Sequence, residues 1–159
     1  MEEIEFVWNW NKSYLDIKIF KDNKLYGHIP KFVDQTVATI NSKKYFLDTK
    51  LFQSNTFITD PLDNKAYCEI EGDRMQGDLI LKIKAPAFQY TCSSQQKLPF
   101  GQKTCIVTND NKEILKLTIP SGLFPDSGLV HSFVYDSNID LLIFCLFYFN
   151  TIPTGNNND

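Results

Sequence analysis

Arginine is nearly missing from this chain. Arg74 is the only one in 159 residues, and histidine occurs only twice, as His28 and His131. A protein whose main partner is nucleic acid carries a basic face or a basic domain. Here Lys+Arg total 16 against Asp+Glu 19, a net charge of −3 with a pI near 5.4, which argues against nucleic acid. Chemistry-bearing strings are missing too. There is no G-x-S-x-G, no Walker loop, no dinucleotide fingerprint and no C-x-x-C pair. Cys68, Cys92, Cys105 and Cys145 are scattered, whereas zinc ligands come in close pairs, so buried thiols in a reducing cytosol are expected instead. No long apolar run exists: the longest, Leu141 to Phe149, is well short of the ~20 residues that span a bilayer. The acidic start Met1-Glu2-Glu3-Ile4-Glu5-Phe6 lacks the basic opening of a secretory signal. The expectation is a cytoplasmic protein with no membrane-spanning segment and no cofactor.

What is present is alternation. Leu15, Ile17 and Ile19 share one face of a strand while Asp16 and Lys18 share the other, and Leu79, Leu81 and Ile83 alternate with Lys82 and Lys84. The tripeptide Asp-Asn-Lys recurs at 22–24, 63–65 and 110–112, each time between two β-like runs. Asp and Asn tolerate left-handed backbone, so each copy is expected at a hairpin turn. The spacings, 63 − 22 = 41 and 110 − 63 = 47, fit a repeated hairpin unit or three unrelated turns of similar composition. Further strands are expected near 3–10, 36–41, 43–48, 78–84, 87–93 and 130–135. About twelve short strands with close turns predict a closed barrel or a sandwich. A hairpin centred near Leu98-Pro99 would set Cys92 opposite Cys105, where a disulfide is conceivable, though the compartment argues against one.

The C-terminus changes character. Ser137 stands at an N-cap position with Asp140 three residues later, ahead of the run Leu141 to Asn150. Length and cap predict a helix over 138–150, about 20 Å long. It has no polar face, so it is expected to be buried all round. Residues 1–152 read as one domain and 153–159 as a disordered tail.

Twelve short strands followed by one wholly apolar helix resemble the tubby-like C-terminal superfamily, which includes the LURP-one-related proteins and small bacterial relatives. The resemblance is carried by the Asp-Asn-Lys hairpins, the strand Val130 to Tyr135 and the segment Ser137 to Asn150. It implies a closed antiparallel β-barrel of about twelve strands with the hydrophobic C-terminal α-helix through its centre. Physical reasoning agrees, because a twelve-stranded barrel is too wide for its own side chains to fill. Burying Leu141, Leu142, Ile143, Phe144, Leu146, Phe147 and Phe149 would contribute roughly 1.5–3 kcal/mol each before entropy is subtracted. The resemblance further implies a non-catalytic module that meets an anionic phospholipid headgroup or a protein partner. Lys82, Lys84 and Arg74, with Lys43-Lys44, are the cationic candidates for a headgroup. A lipocalin-like carrier of a small hydrophobic ligand and an enzyme with a His/carboxylate cleft are the alternatives.

Other candidate residues have plainer readings. His28 and His131 could act as general bases but lack a nucleophile motif. Glu69 and Glu71 share a strand face and could bind a cation, or could simply lie opposite Lys82 and Lys84. Trp8 and Trp10 share a face and could stack a sugar or a base, or pack against the barrel. Gly72 to Gly77, holding Arg74, could cradle an anion or form an ordinary loop.

Overall fold

Twelve antiparallel strands close on themselves in the computed structural model, and one helix follows. The structure describes residues 3–11, 16–30, 37–49, 55–72, 80–96, 101–121 and 127–151. The strands are β1 (Ile4–Asn11), β2 (Asp16–Lys21), β3 (Lys24–Ile29), β4 (Val37–Ile40), β5 (Lys43–Thr49), β6 (Asn55–Thr59), β7 (Ala66–Glu71), β8 (Ile80–Ala85), β9 (Phe88–Gln96), β10 (Lys103–Asn109), β11 (Lys112–Ile119) and β12 (Ser127–Ser132). Each pairs with its neighbours in sequence, and β12 pairs with β1 to close the barrel. The helix is α1 (Ile139–Thr151). Among the described residues no helix is long and apolar enough to cross a membrane. The expected tail, 153–159, lies outside the described residues, as do Arg74 and most of the Gly72–Gly77 segment.

The barrel repeats itself three times. In its first four strands the register runs Val7–Phe20–Leu25. In the next four it runs Phe46–Thr59–Ala66, and in the last four Thr91–Thr108–Glu113. A β-bulge follows at the same place each time, leaving Tyr26, Tyr67 and Ile114 as the extra residue. Each stands four residues after the Asp of an Asp-Asn-Lys copy. One residue before the register line lie Phe6, Tyr45 and Tyr90, all buried. Phe6 packs on Tyr26 with ring centroids 4.9 Å apart, and Tyr45 on Tyr67 at 5.1 Å. The fourth strand of each unit meets the next unit's aromatic residue: Ala38 lies opposite Tyr45, Ile83 opposite Tyr90 and Val130 opposite Phe6.

Two of the three tripeptides make the same turn. Asp22-Asn23 and Asp110-Asn111 both have positive φ at the two central positions, the type I′ hairpin, and Asn41-Ser42 adds a third such turn between β4 and β5. The middle copy differs. It sits in the longer connection from Asp60 to Lys65, where only Asn64 has positive φ. There Asp60 accepts the Leu62 N–H at 2.9 Å and Asp63 the Lys65 N–H at 2.9 Å.

The helix lies inside the barrel. Its backbone approaches β10 and β11 on one side and β4 on the other, and β4 and β10 stand six strands apart in a ring of twelve. Leu141, Leu142, Ile143, Phe144, Cys145, Leu146 and Phe147 are all buried. Phe144 stacks on Tyr45 at 5.9 Å and Phe147 meets the edge of Trp8 at 5.7 Å. The Phe149 and Tyr148 side chains lie outside the described residues. Trp8 is thereby a core residue, and its ring is the reason for Gly128. A Cβ there would stand 2.8 Å from the Trp8 ring and 2.3 Å from the Thr118 carbonyl oxygen.

Three details differ from the sequence reading. The β9–β10 register pairs Cys105 with Ser94 and Cys92 with Val107, so the hairpin is centred one residue later and the two cysteines are not opposite. All four cysteines are buried thiols outside any disulfide. The cap is also different. Asn138 supplies the first carbonyl, accepting the Leu142 N–H at 2.9 Å, and the Asp136 carboxylate holds the Asn138 N–H at 2.8 Å. Asp140 turns towards the barrel wall instead of back to Ser137. Finally, β12 stops at Ser132, short of Tyr135. There the Ser132 hydroxyl bonds the Val134 carbonyl at 2.9 Å and the chain bends into α1.

Candidate functional site

One rim of the barrel gathers the tight turns and receives the start of α1. Antiparallel alternation dictates this: even-numbered strands run towards that rim, and β12 delivers the chain there. Asp140, buried in the first turn of the helix, accepts the Tyr26 hydroxyl and the Asn41 side-chain amide, the latter at 3.2 Å. Asp136 accepts the Tyr90 hydroxyl at 2.9 and 2.8 Å, and Asn138 donates its side-chain N–H to the same hydroxyl at 3.1 Å. Asp60 accepts the Tyr67 hydroxyl at 3.2 Å. Three tyrosines of the wall thus lean on three carboxylates, two of which belong to the helix or its approach. Burial is the first cause that raises the pKa of Tyr26, Tyr67 and Tyr90, and the adjacent carboxylates add to it. These hydroxyls stay protonated and donate.

Grooves on the outside include the following three. The first, about 630 Å³, lies at this rim and is lined by Phe88, Gln89, Tyr90, Asn109, Asp110, Tyr135, Asp136 and Asn138, among others. Tyr135 is 77% exposed beside it. The second, about 890 Å³, runs over β1 and β2 past Glu3, Glu5, Val7, Phe20 and Lys21. The third, about 310 Å³, lies between β3 and β4 and includes Tyr26, His28, Thr39 and Ser42.

The residues singled out from the sequence do not converge on one of these. Lys82 and Lys84 stand on the outer face of β8 opposite Glu71 and Glu69, and Lys84 makes an ion pair with Glu71. The hydrogen bond and charge of Lys84 hold the Glu71 carboxyl below its usual range. The plainer reading of the Glu69/Glu71 pair is therefore the observed one. Arg74 lies outside the described residues. Lys43 and Lys44 lie at the start of β5, three strands round the barrel from β8. His28 pairs with Asp16 on the neighbouring strand β2. His131 pairs with Glu3 at 2.9 Å and stacks on Phe133 at 4.8 Å. The two histidines belong to β3 and β12, and neither joins Glu69 and Glu71 on β7. Among the described residues no group of three or more His, Cys, Asp or Glu is placed to hold a metal ion. Inside the barrel, burial pushes the Cys145 thiol of α1 well above the ordinary value, and a hydrogen bond with the Cys68 thiol of β7 adds to it.

Sequence reasoning missed the rim groove. Its signal was present as an Asp-Ser-Asn string before the helix and a large aromatic, Tyr135, just upstream. That string read as a cap alone, because nothing local shows that β9 and the β10–β11 turn stand beside it. The chain matches no protein-family model, no curated protein and no solved structure.

Proposed function

We propose that the protein is a non-catalytic binding module, similar in plan to the tubby-like C-terminal superfamily, that meets its partner only through its outer wall and rims. The observation that supports this is the buried helix. A lipocalin-like carrier needs an open interior, and α1 occupies that space with seven consecutive buried side chains. The enzyme alternative loses support because each histidine is engaged with a separate carboxylate away from Glu69 and Glu71. Between the two partner classes, a protein is favoured over an anionic lipid headgroup. The lysines proposed for the headgroup face glutamates across the strand, so that face carries little net positive charge. Four buried thiols outside any disulfide fit a reducing compartment and support a cytoplasmic location.

Sedimentation with liposomes of mixed neutral and anionic lipid, at low salt where such contacts are strongest, tests the choice of partner. The protein is expected to remain in the supernatant. Salt-sensitive co-sedimentation abolished by replacing Lys82 and Lys84 would overturn the preference and restore the headgroup.

A further inference from the structure

The rim groove differs from the other two in its charge. The β1–β2 groove includes Lys21 and the β3–β4 groove includes His28, but among the described residues no Lys, Arg or His lines this one. Its two carboxylates come from separate elements, Asp110 from the β10–β11 turn and Asp136 from the approach to α1. Asp136 is fixed by the Tyr90 hydroxyl and the Asn138 N–H, so it presents its charge in one orientation. Three rings stand in the lining. Tyr90 packs on Phe88 at 5.3 Å, and Tyr135 projects into solvent. The side-chain amides of Gln89, Asn109 and Asn138 supply further acceptors. Fixed negative charge and aromatic faces, with no cation among the described lining residues, are the elements that recognise an organic cation. At about 630 Å³ the groove has room for a planar or branched head group. The described residues hold no cluster suited to a bare metal ion.

We propose that this groove binds an organic cation, a guanidinium or alkylammonium group, between Asp110 and Asp136 with Tyr135 as the stacking ring. The proposal rests on the surface-binding reading above and adds the ligand class. The group could be a small free amine or the side chain of a basic residue on a protein partner; the recognition chemistry is the same.

The test is amide NMR on the full chain, titrated separately with arginine amide, choline and a short peptide holding one arginine. Glucose and acetate serve as neutral and anionic controls. The cations are expected to move amides at 87–90, 109–110 and 135–138 saturably, and less so as salt is added. Asp110→Asn keeps a residue that tolerates the positive φ of the turn, and Tyr135→Ala alters an exposed side chain, so both variants keep the fold. Each is expected to weaken binding about fivefold. Equal response to the small cations and the peptide supports the site with a free amine as sufficient ligand. Saturation by the peptide alone supports it with a protein side chain as ligand. The proposal is overturned if no cation moves these amides, if both variants bind as tightly as the original, or if glucose alone moves them. Such a failure with the interior still closed to cargo removes this ligand and leaves the surface-binding reading in place. Cargo inside the barrel would remove the latter instead.

Discussion

Tyr26, Tyr45, Tyr67 and Tyr90 show how single residues tie the wall to what it encloses. Each has its pKa raised, first by burial and then by neighbouring carboxylates or other acidic groups. The unfolded chain releases these protons near pH 10, the ordinary tyrosine value, whereas the folded chain holds them longer. Stability from these groups is therefore complete below about pH 10 and is lost as pH rises beyond it. Alkaline titration followed by tyrosinate absorbance and circular dichroism is expected to show these tyrosines ionising together with unfolding. Ionisation of all tyrosines near the ordinary value in a chain that remains folded would contradict it. Alternation places Tyr45 and Tyr90 inward, whereas Tyr26 and Tyr67 are the extra residues of β-bulges, and the partners lie more than a hundred residues away for Tyr26 and forty-six for Tyr90. Distances of that kind leave no local trace in a sequence.

The helix is the element on which the fold turns. Leu146 is fully buried. Leu146→Ala is expected to cost about 2–5 kcal/mol through lost burial and the cavity left behind. Leu146→Asp places an unmatched carboxylate in the core, a cost comparable to the whole stability of a domain, and is expected to abolish cooperative melting. A thermal melt of each variant by circular dichroism checks both, and an unchanged melting temperature for Leu146→Asp would rule out the buried helix. This element was legible because nothing polar interrupts 141–149 and because twelve strands leave a space to fill. The strand ends were less so. The polar end of β9, Ser93 to Gln96, pairs with β10 through backbone bonds that need no apolar side chain, so alternation fell silent before the strand did. In β12, Gly128 removes a side chain from the pattern because Trp8 occupies its place.

At the scale of the molecule, three four-stranded units in matching register close a barrel around a helix contributed by the same chain. The unequal spacing of the tripeptides concealed this regularity, since the strands and connections between one copy and the next differ in length while the register line is kept. A barrel that fills itself offers ligands its outside alone, and that is the claim on which the functional reading stands. Native mass spectrometry of the purified chain, compared with its denatured mass, tests it most directly. Equal masses are predicted, since α1 leaves no room for cargo; a bound hydrophobic species that departs on denaturation would contradict the account and make the protein a carrier.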